Sequence, residues 1–246
     1  MTVLLRLTRA ETRLFLREPI SVVFALLFPP VLYAVLGSVP SFQEAEEGLG
    51  GLRVIDLYTP IVVALAFTVP ALTNLPQQFA TYRERGVLRR MRTTPVRPAV
   101  MLGAQMLMYT CMSVATMLVI LALGRVAFDV DLPQLPLAYI AAHLLTSLAV
   151  LAIGLLVGAV APSGTSAGAI GFVLLLPMLF FAGLWTPRET MPDVLRTISD
   201  ATPLGAGVQS LQDAAAGDWP HLLHLAVLLG WTVAAGALAA RYFRWE

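Results

Sequence analysis

Six apolar stretches, each about as long as a bilayer is thick, leave this 246-residue chain few ways to fold. A helix needs about 20 apolar residues to cross the hydrocarbon core. Lipid then requires every backbone polar group to find its partner inside the helix. The stretches are residues 20–39, 56–76, 99–123, 137–161, 165–185 and 221–240. They predict an all-α integral membrane protein of six spans, with residues 1–246 forming one transmembrane domain. Charge is scarce to match: 13% of residues are charged, about half the share of a soluble domain. Pro29, Pro30, Pro70 and Pro177 fall inside spans, where neighbouring helices can satisfy the carbonyls that proline leaves open.

The connecting segments alternate in charge. Arg6, Arg9, Arg13 and Arg17 precede the first span. Arg83, Arg85, Arg89, Arg90, Arg92 and Arg97 lie between the second and third, and Arg241 and Arg244 follow the sixth. The remaining connections carry acids, among them Glu44, Glu46, Glu47, Asp193, Asp200, Asp213 and Asp218. Twelve arginines therefore fall on one side and four on the other. The positive side faces the cytoplasm, so both termini are expected inside a bacterial cytoplasmic membrane.

Three of these segments are patterned. Between spans two and three, Val87, Leu88 and Met91 fall on one side of a helix and Arg85, Arg89 and Arg92 on another. That predicts a short amphipathic helix under the membrane with an apolar ridge free to dock. In residues 1–19 the arginines form one stripe, and Leu4, Leu7, Leu14 and Phe15 face away from it. This suits an interfacial helix drawn to anionic lipid, or an anchor that only sets topology. Glu11 interrupts the apolar face and is expected to point at a partner. Beyond span five, Met191, Val194, Leu195 and Ile198 repeat at helical spacing, as do Leu204, Val208 and Leu211. Two short helices are expected there, dipping into the interface or between the spans.

Several chemistries lack their residues. There is no lysine, so no P-loop can form in this chain, and ATP hydrolysis is expected to belong elsewhere. Every Asp and Glu lies in a connection or at a span end, whereas ion-coupled carriers keep such groups at mid-membrane. A self-sufficient carrier or channel is the alternative reading. His143, with Ser147 four residues on, reads either as a nucleophile–base pair or as a structural histidine bonded to a neighbour. No metal cluster and no nucleic-acid partner are expected. The one cysteine, Cys111, can make no disulfide within the chain. An apolar docking ridge without an internal energy source points to an energised partner.

The run Arg83-Glu84-Arg85-Gly86-Val87-Leu88-Arg89-Arg90-Met91-Arg92-Thr93-Thr94-Pro95 resembles the connection between the second and third spans of ABC-2 type transporter permeases. Leu16-Arg17-Glu18-Pro19 resembles the turn before that family's first span. The run from Phe181 to Pro187, with Met191-Pro192 and Thr202-Pro203-Leu204, resembles its region after the fifth span. The resemblance implies one half of an exporter's membrane unit, paired with a second copy or a sister permease and with two nucleotide-binding ATPase subunits. It implies no cofactor in this chain, with ATP and Mg on those subunits. Arg83, Glu84, Arg85, Gly86, Val87, Leu88, Arg89 and Met91 would form the coupling helix, flanked by the interfacial helix with Arg6, Arg9, Glu11, Arg13 and Arg17. Spans two and five would line the pathway, with Phe67, Thr68, Thr73, Asn74, Phe172, Phe180 and Phe181 as candidates. Met191, Leu195 and Leu204 would stand in re-entrant helices closing the outer gate. The cargo implied is a drug, antibiotic or lipid-like molecule.

Overall fold

The computed structural model describes residues 3–45, 51–87 and 98–242, and among them every regular element is helical. The only β-type pairing there is an isolated bridge between Ala45 and Arg53. Helix α1, Val3–Leu16, is amphipathic. A short α2, Pro19–Val22, runs through a π-helical turn, Val23–Leu27, into α3, Phe28–Gly37. After α4, Pro40–Gln43, come α5, Val54–Leu72, and α6, Asn74–Glu84. Then follow α7, Pro98–Phe128, α8, Pro136–Val160, and α9, Gly164–Phe181. Helices α10, Asp193–Ala201, and α11, Pro203–Ala216, precede the last, α12, Leu222–Tyr242.

Five helical segments are long and apolar enough to cross a membrane: Val54–Glu84, Val100–Phe128, Pro136–Val160, Gly164–Phe181 and Leu222–Tyr242. The first expected span differs. Its apolar helix, Val23–Gly37, is shorter and begins in the π turn. Pro29 and Pro30 have no N–H to give the carbonyls of Ala25 and Leu26. The turn before them widens, and the Phe28 N–H bonds back five residues to Val23.

The second span also differs from expectation. It does not stop near Pro76 but continues as α6 to Glu84, with a break at Thr73. Pro76 supplies no N–H to the Leu72 carbonyl, so one hydrogen bond is missing where the break lies. Two glycines close on that point. A Cβ on Gly154 of α8 would overlap the Ala71 carbonyl oxygen, and one on Gly171 of α9 would overlap that of Leu72. Only glycine allows helices to meet the break this closely.

Helix α8 is the hub, packing against α5, α6, α11 and α12. The core runs through Leu65, Leu72, Leu75, Phe79, Met108, Leu151 and Leu204. A second cluster, around Tyr33, Ile55, Met117, Ile120 and Tyr139, fills the end near α4. Outward faces stay apolar: Val35, Leu118, Val126, Phe172, Val173, Leu222 and Val233 are exposed. A surface this greasy matches lipid rather than water.

Candidate functional site

The basic segment leaves the end of α6, and that end is built to hold something. Gly86 adopts φ +65°, a left-handed conformation that stops the helix one turn after its last apolar contact. Arg83 and Glu84, expected in a separate amphipathic helix, form the last turn of α6 instead. Arg85, Gly86 and Val87 follow within the described residues, whereas Leu88, Arg89 and Met91 lie outside them.

Arg83 reaches across to the end of α8. It donates to the carbonyls of Gly158 at 3.4 Å and Ala159 at 3.0 Å, and also to that of Ala161. These are carbonyls that a helix end leaves without partners, and the terminus carries partial negative charge. The neighbouring Glu84 accepts from the Gly164 N–H at 3.3 Å, at the positive start of α9. One helical turn thus grips both sides of the tight α8–α9 connection, a cation on one terminus and an anion on the other. Ser163 caps α9 from within, accepting from the Ser166 N–H at 3.1 Å.

Helix α1 packs along α7, Arg6, Arg9 and Arg13 lie on its outer side, and Arg17 is exposed in the turn that follows. Glu11 is buried and finds its partner inside the chain. Its carboxylate accepts from Gln105 at 3.1 Å and from Gln78 and the Tyr82 hydroxyl at 3.3 Å. Three neutral donors from two helices compensate a charge that would otherwise be costly to bury. Phe15 completes the contact, edge-on to Tyr109 with ring centroids 6.2 Å apart. Sequence pattern flags Glu11 but not Gln78, Tyr82 or Gln105. The only trace of them is the four-residue spacing that puts Gln78 and Tyr82 on one face of α6.

The seven candidate pathway residues do not share a surface. Phe67 and Thr68 are buried within the bundle, 4% and 0% exposed, and Thr68 bonds back to the Ala64 carbonyl. Thr73 and Asn74 meet at the α5–α6 break, hydroxyl to side-chain carbonyl at 3.1 Å. Phe172 faces outward, and Phe180 and Phe181 touch each other edge to face at 5.3 Å. Phe67 packs on His143 at 5.1 Å. The His143 Nε2 lies 3.1 Å from the Ser113 hydroxyl of α7, while Ser147 donates to the Leu144 carbonyl. His143 and Ser147 therefore form no nucleophile–base pair, and the histidine ties α8 to α7. Beside it lies a cavity of about 10 Å³ walled by Phe67, Tyr109, Ser113, Thr116 and Ser147, room for one water molecule.

At the far end, helices form at both stripes, although α10 begins at Asp193 and leaves Met191 just before it. Met191 and Leu204 are buried and Leu195 partly so, whereas Val194 and Ile198 of the first stripe face outward. Leu204, Val208 and Leu211 all pack inside, and α11 lies against α5, α8, α9 and α12. Arg188 holds Asp200 with both nitrogens of its fork at 2.6–3.0 Å. Ser199 bonds the Phe181 carbonyl at 2.6 Å and Trp231 the Ala201 carbonyl at 3.0 Å. Across the bundle, Arg53 pairs with Asp56 at 2.7 Å and donates to the carbonyls of Phe128 and Asp129. The hydrogen bond to Asp56 raises the guanidinium's pKa further.

The profile of the ABC-2 type transporter family matches residues 2–215. The chain is also similar to a protein of Bacillus subtilis (strain 168) titled "Putative transport permease YvfS". The two are 25% identical over 231 residues, which is 92% of this chain and 91% of the relative.

Proposed function

This chain belongs to the ABC-2 type transporter family, and on that premise we propose that it is the membrane permease subunit of an ATP-driven exporter. Two copies, or one with a sister permease, would stand over two separate nucleotide-binding ATPase subunits that carry ATP and Mg. The arginine asymmetry supports cytoplasmic termini and a cytoplasmic basic segment in an inner or plasma membrane.

The observation that carries the proposal is the grip of Arg83 and Glu84 on the α8–α9 connection. ATP can shift the pathway only if each state makes different contacts with the membrane helices. Val87, Leu88 and Met91 would enter a groove of the ATPase. Arg85 and Arg89 would meet its acidic groups or the anionic inner leaflet. Motion there would pass through α6 to α8 and α9 together. At the other end, α10 and α11, with Met191, Leu195 and Leu204, would close the outer gate as re-entrant helices. The exposed aromatic Phe172 suits a hydrophobic or amphipathic cargo such as a drug or lipid-like molecule. Phe67 and Thr68 would reach a pathway only when the helices part.

The test is Leu88→Asp. A charge left unpaired in a desolvated contact costs several kcal/mol, so ATPase co-purification should weaken by about a hundredfold or more. Transport should fall with it. A correctly inserted Leu88→Asp protein that keeps its ATPase and transports normally would defeat the coupling role.

A further inference from the structure

Between the α1–α2 turn and α6 lies a cleft of about 590 Å³, floored by α7. That is the size of a small-molecule site. Its charged groups are Arg17 from the turn, Arg85 from the end of α6, and Glu18. Neither guanidinium is ion-paired with another described residue, and both are exposed. The Glu18 carboxylate already accepts from the Ser21 hydroxyl at 3.2 Å. Glu11 does not line the cleft, because its carboxylate is turned into the Gln78, Tyr82 and Gln105 cluster. The lining is therefore net positive. Gln77, Asn74, Ser21 and Thr81 add polar groups, and Leu14 supplies an apolar side backed by Phe15 and Tyr109, each 5% exposed. Leu14 is 49% exposed, so that side opens outward along α1.

We propose that this cleft binds a phosphate-bearing amphiphile, its anionic headgroup at Arg17 and Arg85 and its tail over Leu14. Two guanidinium forks lining one cleft supply the planar, multidentate donors that phosphate oxygens take. The cleft rests on the reading of the chain as a membrane transport subunit, and it assigns that subunit a loading site on the basic side. The exposed Leu14 explains why a free anion would be the poorer occupant: it would leave that side chain wet.

The purified chain in neutral detergent is titrated by calorimetry with dihexanoyl phosphatidic acid, dihexanoyl phosphatidylcholine and inorganic phosphate. Phosphatidic acid should bind saturably, and inorganic phosphate at least about tenfold more weakly. Arg17→Gln with Arg85→Gln should weaken phosphatidic acid at least about tenfold. Removing the same charge elsewhere, by Arg125→Gln with Arg241→Gln, should change it less than about twofold. Should the Gln pair misfold, the three ligands on the wild-type chain still decide. The proposal falls if phosphatidic acid does not saturate, if phosphate binds as tightly, if phosphatidylcholine equals phosphatidic acid, or if the control pair weakens binding equally. ATPase capture is measured on the wild-type chain alone. A wild-type chain that captures its ATPase but does not bind phosphatidic acid saturably sinks this site alone, and one that binds phosphatidic acid but captures no ATPase sinks the coupling proposal alone.

Discussion

The two ends of the bundle use charge differently. At the α10–α11 end, charge meets charge: Arg188 with Asp200, Arg53 with Asp56, Arg125 with Asp131. Each pair fastens one connection to another or to itself. At the α6 end, charge meets the peptide backbone and neutral amides. Arg83 addresses bare helix carbonyls, Glu84 a helix N–H, and Glu11 two amides and a phenol. The first arrangement makes a cap whose parts screen one another. The second leaves Arg17 and Arg85 exposed and ties α6 to α8, α9, α1 and α7. The difference teaches that one end is braced by its own ion pairs, whereas the other spends its charges on backbone and amides and keeps arginines open at the surface.

The sharpest way to break that contrast is to test whether the two ends face different compartments. In a Cys111→Ala background, cysteine at Asp193 should react fully with an impermeant thiol reagent on intact cells, and cysteine at Arg85 not at all. Asp193 is the better probe than Asp200, because Asp200 is engaged by Arg188 while the Asp193 side chain is 98% exposed. Labelling of both sites would erase the distinction.

Next in size is Arg83→Ala. It strips three carbonyls of charge-assisted bonds and should cost about 2–3 kcal/mol in a denaturant titration of the solubilised protein. Arg83→Lys, which lacks the planar fork, should recover only part. An unchanged midpoint would mean that the α8–α9 connection holds itself.

Glu11→Ala should follow, at about 1–3 kcal/mol, because Gln78, Gln105 and Tyr82 lose their acceptor. Replacing Glu11, Gln78 and Gln105 together by Leu should return much of that loss, since no amide donor is then stranded. A triple variant worse than the single would show the cluster to be more than a satisfied charge.

The smallest effect belongs to the acidic end. A double-mutant cycle of Arg188→Ala and Asp200→Ala should give a coupling of about 1 kcal/mol, weakening as salt is raised. A larger and salt-insensitive coupling would mean that the cap is sealed from water and that the contrast between the ends is overdrawn.

Much of this was legible in the residues. The spans at 99–123, 137–161, 165–185 and 221–240 correspond to α7, α8, α9 and α12 within a few residues, because long apolar runs have one stable conformation in lipid. The helices carrying Leu195 and Leu204 were readable from their stripes. The interruption in the first span and the break within the second were not. Both arise from hydrogen bonds that prolines cannot make, and hydropathy does not register a missing bond. Arg83 and Glu84 read as part of a basic, amphipathic stretch because their partners, carbonyl 159 and amide 164, are backbone groups that leave no mark in side-chain pattern. Glu11 was conspicuous as an acid on an apolar face, yet Gln105 sits 94 residues away and no local spacing connects them.

The break at Thr73 gives α6 the properties of a lever. Its 11 residues extend about 16 Å at 1.5 Å per residue. No hydrogen bond from Pro76 to Leu72 resists a change of angle at the pivot. A tilt of about 10° there would sweep the tip carrying Arg83 and Glu84 through about 3 Å over that length. Gly171 of α9 already touches the Leu72 carbonyl, so the pivot itself is held in place. The load on the tip would be the α8–α9 connection, which Arg83 and Glu84 hold from both sides.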